Sequence, residues 1–160
     1  MLNIKQSLRT GFGFGLTSGV ITTLGLIVGL HSGTHSEVVI IGGILVIAVA
    51  DALSDALGIH ISEESSEKST QREVWESTIS TFLSKLLIAL TFIFPILFFS
   101  LSTAIIVSIL WGLFLIGVLS FYIAKQQSKK PQKVILEHLL ITIFVIIVTH
   151  YLGDWVGSLG

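Results

Sequence analysis

Asp51 and Asp55 stand four residues apart inside IIGGILVIAVADALSDALGIHI, residues 40–61, a stretch long and apolar enough to cross a bilayer. A helix needs roughly 20 apolar residues to span about 30 Å of hydrocarbon, and a carboxylate within it costs about 2.5–3.5 kcal/mol on insertion scales unless something compensates it. Acids kept at that depth mark paths for ions or protons. The spacing puts both on one helix face a turn apart, with Ser54, Gly58 and Ser62 close to the same stripe. Two carboxylates this close in a low dielectric cannot both ionise cheaply, so one holds a proton unless a cation neutralises the pair. Such a site exchanges protons for metal, and its oxygens suit hard divalent ions such as Mn²⁺, Mg²⁺ or Ca²⁺ and can bind Fe²⁺. The competing reading is a structural pair, bonded to Ser, Thr or backbone within a bundle.

The elements that must hold this pair are transmembrane helices. The chain is 52% hydrophobic and only 12% charged over 160 residues, more apolar surface than a soluble core of this size can hide. Net charge is −1 and no long basic run occurs, which gives no basis for nucleic-acid binding; with Cys 0, disulfides and thiolate metal sites are excluded. Hydropathy predicts a single all-α membrane domain over 1–160 with five spans, at 11–30, 40–61, 79–99, 103–124 and 134–153, and an acidic connector at 62–78. Ser100, Ser102 and Thr103 separate the third span from the fourth, and Pro95 kinks the third near its end. The run at 11–30 follows Lys5 and Arg9 but is too long for a signal peptide and is read as a retained first helix. All nine basic residues fall on or near one side of this arrangement, Lys5, Arg9, Lys68, Arg72, Lys85, Lys125, Lys129, Lys130 and Lys133. The positive-inside rule then puts the N-terminus in the cytoplasm and the C-terminus outside. The chain is expected to be a multi-pass integral membrane protein, of the plasma membrane in a prokaryote.

In the first span Gly11, Gly15, Ser18, Gly19, Thr22, Gly25 and Gly29 recur at helical spacing. Small residues let backbones approach. They serve helix packing alone, or Ser18 and Thr22 add a polar lining facing the aspartates, making Asp51, Asp55, Ser54, Ser18 and Thr22 the candidate metal-binding set. Gly15, Gly19 and Gly25 are the candidate contact with another helix or across a dimer axis. In the connector, Glu63, Glu64 and Glu67, with His60, Glu73 and Glu76 nearby, form either a solvated loop or a cation-collecting cytoplasmic mouth. Lys85 is expected to snorkel to the headgroups, with pairing to an acid as the alternative. His31 with His35, His150 with Asp154, and Glu137 with His138 read as features of the span ends, an external metal site at the first pair being the sharper alternative. Trp75, Trp155, Tyr122 and Tyr151 fit interfacial belts. No nucleophile and base constellation, phosphate loop or cofactor fingerprint occurs, so neither an enzyme nor a cofactor is expected.

RTGFGFGLTSGVITTLGLIVGL followed by GGILVIAVADALSDALG resembles the vacuolar iron transporter family, whose second helix reads like A-G-A-L-S-M-A-A-G-E-Y. STFLSKLLIALTFIFPILFF, LFLIGVLSFYIAK and THYLGDWVGSLG are similar to its third, fourth and fifth helices, so the resemblance covers nearly the whole chain. It implies a five-helix homodimer that moves Fe²⁺ or Mn²⁺ out of the cytoplasm in exchange for protons, along a path between subunits. The departures fall on the family's functional positions. Ser18 stands where the family has its first-helix Asp, Asp55 where it has Met, and Ile59 and His60 replace Glu and Tyr. The connector is also much shorter than the metal-binding domain of iron-transporting members. The expected site is therefore a relocated one of all-oxygen character. The expected activity is proton-coupled export of a divalent cation, an antiport of iron or manganese type in a homodimer. The alternatives are a passive channel, a carrier of another substrate, and a non-transporting scaffold with a structural Asp pair.

Overall fold

A computed structural model describes residues 6–66 and 69–159. Lys5, Glu67 and Lys68 lie outside the described residues. The chain is all-helical there: α1 (Gln6–Thr34), α2 (Glu37–Glu64), α3 (Gln71–Thr91), α4 (Ile93–Phe98), α5 (Leu101–Gln126) and α6 (Pro131–Gly157). Five segments are long and apolar enough to cross a membrane, α3 and α4 together forming the third, Gln71–Phe98. The chain therefore has the make-up of a multi-pass membrane protein.

Each helix outruns its hydrophobic stretch, because termini are set by caps rather than by hydropathy. The sequence T-x-x-E at 70–73 makes a capping box, in which Thr70 accepts from the Glu73 N–H and the Glu73 carboxylate accepts from the Thr70 N–H at 2.9 Å. That box starts α3 at Gln71, well before the apolar run at 79. The connector accordingly shrinks from the expected 62–78 to the residues between Glu64 and Gln71. At the other end of α2, Ser36 accepts from the Val39 N–H, and His35 at φ 51° closes the turn with its N–H on the His31 carbonyl at 3.0 Å. The α5–α6 turn is a Schellman motif on Ser128 (φ 53°), with Lys129 N–H reaching Ala124 O at 3.0 Å, and Pro131 then opens α6. Pro95 breaks the third span at Phe92, since it has no N–H to offer the Thr91 carbonyl. Thr91 instead accepts through its hydroxyl from Trp111 Nε1 at 3.1 Å, which ties the break to α5.

α1 is the central post, touching α2, α3, α5 and α6. Its glycines explain how. A Cβ on Gly11 would stand 2.3 Å from Ser77 O, and one on Gly15 2.2 Å from Ser84 Oγ and 2.6 Å from Thr81 O. Gly25 meets Val145 and Thr149 of α6, and a Cβ on Gly153 would stand 2.2 Å from Gly29 O. The small-residue stripe is thus helix packing within one chain, and a dimer contact through Gly15, Gly19 and Gly25 is corrected: α3 and α6 already cover those positions. Val20, Leu24, Ile27, Ile40, Ile44, Phe92, Ile96, Ala104 and Ile116 fill the remaining core. The outward faces are Leu, Ile, Val and Phe, as lipid-facing surfaces require.

Candidate functional site

The site begins with a gap. Gly19 has no side chain, and a Cβ there would lie 3.2 Å from Lys85 Cγ and 2.4 Å from Ile88 Cγ2. The Lys85 stem occupies that space, and the residue is 1% exposed, with Phe92 among the largest fully buried side chains of the described residues. Its ammonium meets three oxygens from two other helices. Nζ lies 2.5 Å from Asp51 Oδ2, forms an ion pair with Asp55 Oδ2, and donates to Ser18 Oγ at 2.9 Å. Ser18 in turn donates its hydroxyl hydrogen to Asp55 Oδ2 at 2.7 Å. Asp51 lacks hydrogen-bond geometry at Oδ2 and is held by charge alone.

This overturns the snorkelling expected of Lys85. α3 begins fourteen residues earlier, so Lys85 sits about 21 Å along its axis, and Asp51 is halfway along α2. Reaching a headgroup would abandon two carboxylates in hydrocarbon, whereas pairing offsets part of their cost. Lys85 consequently leaves the group of basic residues at one end, and positive-inside counting rests on the others.

Formal charge makes the cluster unusual. Two carboxylates and one ammonium leave one negative charge uncompensated when all are ionised, with only Ser18 to soften it. The ammonium is sealed while the carboxylates remain partly open, with side-chain exposures of 28% for Asp51 and 21% for Asp55. Asp51 ends a groove of about 540 Å³ lined by Leu26, Leu30, Gly43, Ile47 and Ala50, which runs between α1 and α2 toward the His31 end. The groove meets Asp51 from outside the helix packing, and Lys85 approaches both aspartates from within.

The other expected ligands are not brought together. Ser54 is exposed on the outer side of α2. Thr22 donates to the Ser18 carbonyl at 2.9 Å, one turn beyond the cluster, and touches neither aspartate by hydrogen bond. Among the described residues no three His, Asp or Glu side chains converge to hold a metal. A cation placed here would find Asp51, Asp55 and Ser18 as its protein oxygens and would need water for the rest.

The acidic end is largely engaged in structure. Glu63 accepts from Ser69 Oγ at 2.8 Å, Glu73 caps α3, and Glu76 pairs with Arg72 at 2.8 Å and accepts from Ser7 at 3.1 Å. Glu64 is exposed to solvent. His60 is tied to α3: its Nδ1 lies 3.0 Å from Thr78 Oγ1, and because Thr78 gives its hydrogen to Val74 O, the imidazole must donate. Trp75 packs edge-on against it, centroids 4.8 Å apart. At the opposite end the His31 and His35 rings are neighbours at 5.1 Å, and His150 hydrogen-bonds Ser32 and lies 3.6 Å from Asp154. His138 bonds Ser120 at 2.8 Å, which joins α6 to α5.

The geometry defines a class, a helical membrane protein with a charged cluster buried between three helices. No protein-family model matches the chain, and no curated protein matches it.

Proposed function

We propose that the chain is a proton-coupled cation transporter, exporting a divalent ion of the Fe²⁺ or Mn²⁺ type, in which Asp51 and Asp55 bind the ion and Lys85 carries the exchangeable proton. The supporting observation is the asymmetry of the cluster: an ammonium sealed inside the bundle holds two carboxylates that remain open on their other side. A divalent ion arriving at the two carboxylates cancels their charge and repels the ammonium. Lys85 then loses a proton and remains neutral in its apolar slot beside Gly19. The exchange balances, since M²⁺ enters a cluster of charge −1 and leaves a neutral one plus H⁺. When the ion departs, Lys85 takes a proton again and closes the pair. Ser18 serves both states, donating to Asp55 in one and offering its oxygen to the cation in the other. Export follows from the orientation that positive-inside assigns, with the basic end and N-terminus cytoplasmic. The resemblance to vacuolar iron transporters supports the same activity and a homodimer, whose interface would lie away from the glycines that α3 and α6 cover.

The test is Mn²⁺ and Fe²⁺ flux into proteoliposomes under an imposed pH gradient. Flux that the gradient drives, and that Asp51→Asn with Asp55→Asn abolishes, supports the reading. Flux indifferent to the gradient gives a passive channel, and flux indifferent to both substitutions removes the aspartates from the path.

A second reading draws on the same lysine. Since Lys85 already occupies the position between the carboxylates, the cluster can serve only to fasten α1, α2 and α3 together. In that case the charge-removing variants change stability and no flux is found in the parent protein.

A further inference from the structure

We infer that the cleft between the start of α1 and the end of α5 binds the headgroup and upper acyl chain of an anionic phospholipid. The cleft has a volume of about 610 Å³ and is shaped by Arg9, Thr10, Phe12, Leu119, Tyr122 and Gln126, among others. Its polarity is graded by the direction of the two helices. α1 leaves this end of the bundle, so Arg9 and Thr10 come before Phe12; α5 arrives at it, so Leu119 comes before Tyr122 and Gln126. Apart from Leu8 and Ile123, both walls are therefore polar at the end of the bundle and apolar toward its middle, the order of a phospholipid read from phosphate to chain. Phe12 and Tyr122 are half exposed, at 48% and 50%, so the cleft opens sideways onto the surface that faces lipid.

Arg9 supplies the charge. Unlike Arg72, which pairs with Glu76, and Lys85, which pairs with both aspartates, Arg9 is exposed and has no ion pair or side-chain hydrogen bond among the described residues. A guanidinium presents a fork of donors that matches two phosphate oxygens, and the Tyr122 hydroxyl and Gln126 amide can meet the ester and glycerol oxygens beside it. Lys125, one turn from the cleft, rests over Phe121 with its ammonium 5.6 Å from the ring centre and adds to the positive field. The cleft lies at the basic end, the side that positive-inside assigns to the cytoplasm, where anionic lipids are concentrated.

Native mass spectrometry of the full chain, released from detergent with equal amounts of phosphatidylglycerol and phosphatidylcholine, tests this directly. The parent protein should retain phosphatidylglycerol in preference. Arg9→Gln should lower that preference about five-fold, the effect of one basic residue at an anionic surface. Lys133→Gln, at the same end but outside the cleft, should leave it unchanged, and Leu119→Trp, which fills the apolar part, should reduce retention of both lipids. Arg9 and Lys133 are exposed, so neither change threatens folding. Equal retention of the two lipids by the parent protein overturns the site. So does an equal loss in Arg9→Gln and Lys133→Gln, which would mean diffuse charge, or a lipid-free dimer in which a second copy fills the cleft.

Discussion

The Lys85 ammonium stands 2.5 Å from Asp51 Oδ2 at the mid-length of α2, and it reaches that point from α3 through the space left by Gly19 of α1. Three helices thus converge on one charge. The same ammonium is shared with Asp55, so removing it leaves two carboxylates rather than one without a cation, and the consequences of each substitution follow from counting charges.

Lys85→Met keeps the length of the stem and deletes the cation. Breaking a buried pair by removing one partner costs about 3–5 kcal/mol, because the remaining charge is left unpaired in a low dielectric. The two carboxylates then share a proton and one unpaired anion remains, so the loss should fall within that range, read as a lower unfolding temperature in detergent. Adding Asp51→Asn and Asp55→Asn to Lys85→Met should restore most of the stability, since the triple variant buries no charge. A triple variant as unstable as Lys85→Met would show that the stem's packing, not the charge, matters at this position.

The single aspartate changes should differ from each other. Asp51→Asn leaves a neutral pair of Lys85 and Asp55 that still accepts from Ser18, and its stability should match or exceed that of the parent. Asp55→Asn removes the carboxylate that receives both Lys85 and Ser18. It should be the less stable of the two by about 1 kcal/mol, the net worth of one hydrogen bond. Chemical unfolding of both variants in the same detergent gives the order. Under the transport reading both lose flux.

Much of this is legible in the amino-acid sequence, and the reason is the hydrocarbon solvent. Span number, the aspartate face and the small-residue stripe are one-dimensional patterns that a bilayer enforces strictly. The partner of Asp51 and Asp55 was less so, although Lys85 stands six residues inside the apolar run that begins at Ile79, too deep for an unpaired cation to be cheap. Its stem could have run either way along α3, and only the absent Cβ of Gly19, thirty residues and more from either aspartate, opens the inward route. Their spacing marks the glycines as a close-approach surface, but periodicity does not say which helix approaches, and here α3 and α6 do. Ser54 illustrates the same limit from the other side, being next to Asp55 in sequence yet on the outer side of α2.

Gly15 and Gly13 offer a direct test of that packing. A Cβ at Gly15 would collide with Ser84 Oγ at 2.2 Å and with the Thr81 carbonyl at 2.6 Å, and backbone cannot yield as a flexible side chain does. At Gly13 nothing lies within 4 Å. Gly15→Ala should therefore lower stability by about 1–3 kcal/mol through overpacking, and Gly13→Ala should leave it unchanged or slightly raised, alanine being the better helix former. Thermal unfolding of the two variants separates them. Light scattering adds a second readout, because a glycine that packs α1 on α3 within one chain should weaken the fold without first dissociating a dimer.

The last prediction concerns protons. If a divalent ion displaces the proton of Lys85, binding and deprotonation are linked, and the apparent affinity must depend on pH with a definite sign. Lowering the pH raises the proton concentration against which the ion competes, so Mn²⁺ should bind more weakly in acid and more tightly as pH rises. For a single proton released, the dependence is tenfold per pH unit wherever the empty site holds that proton and the loaded site does not. Calorimetry in buffers of different ionisation enthalpy reports that proton directly, and it should be close to one per ion in the parent protein. In Lys85→Arg the cation is kept but cannot give up its proton, so the number should fall toward zero while the two carboxylates remain to bind the ion. One proton still released by Lys85→Arg would mean that an aspartate carries it, and the role given to Lys85 would pass to the Asp51 and Asp55 pair itself.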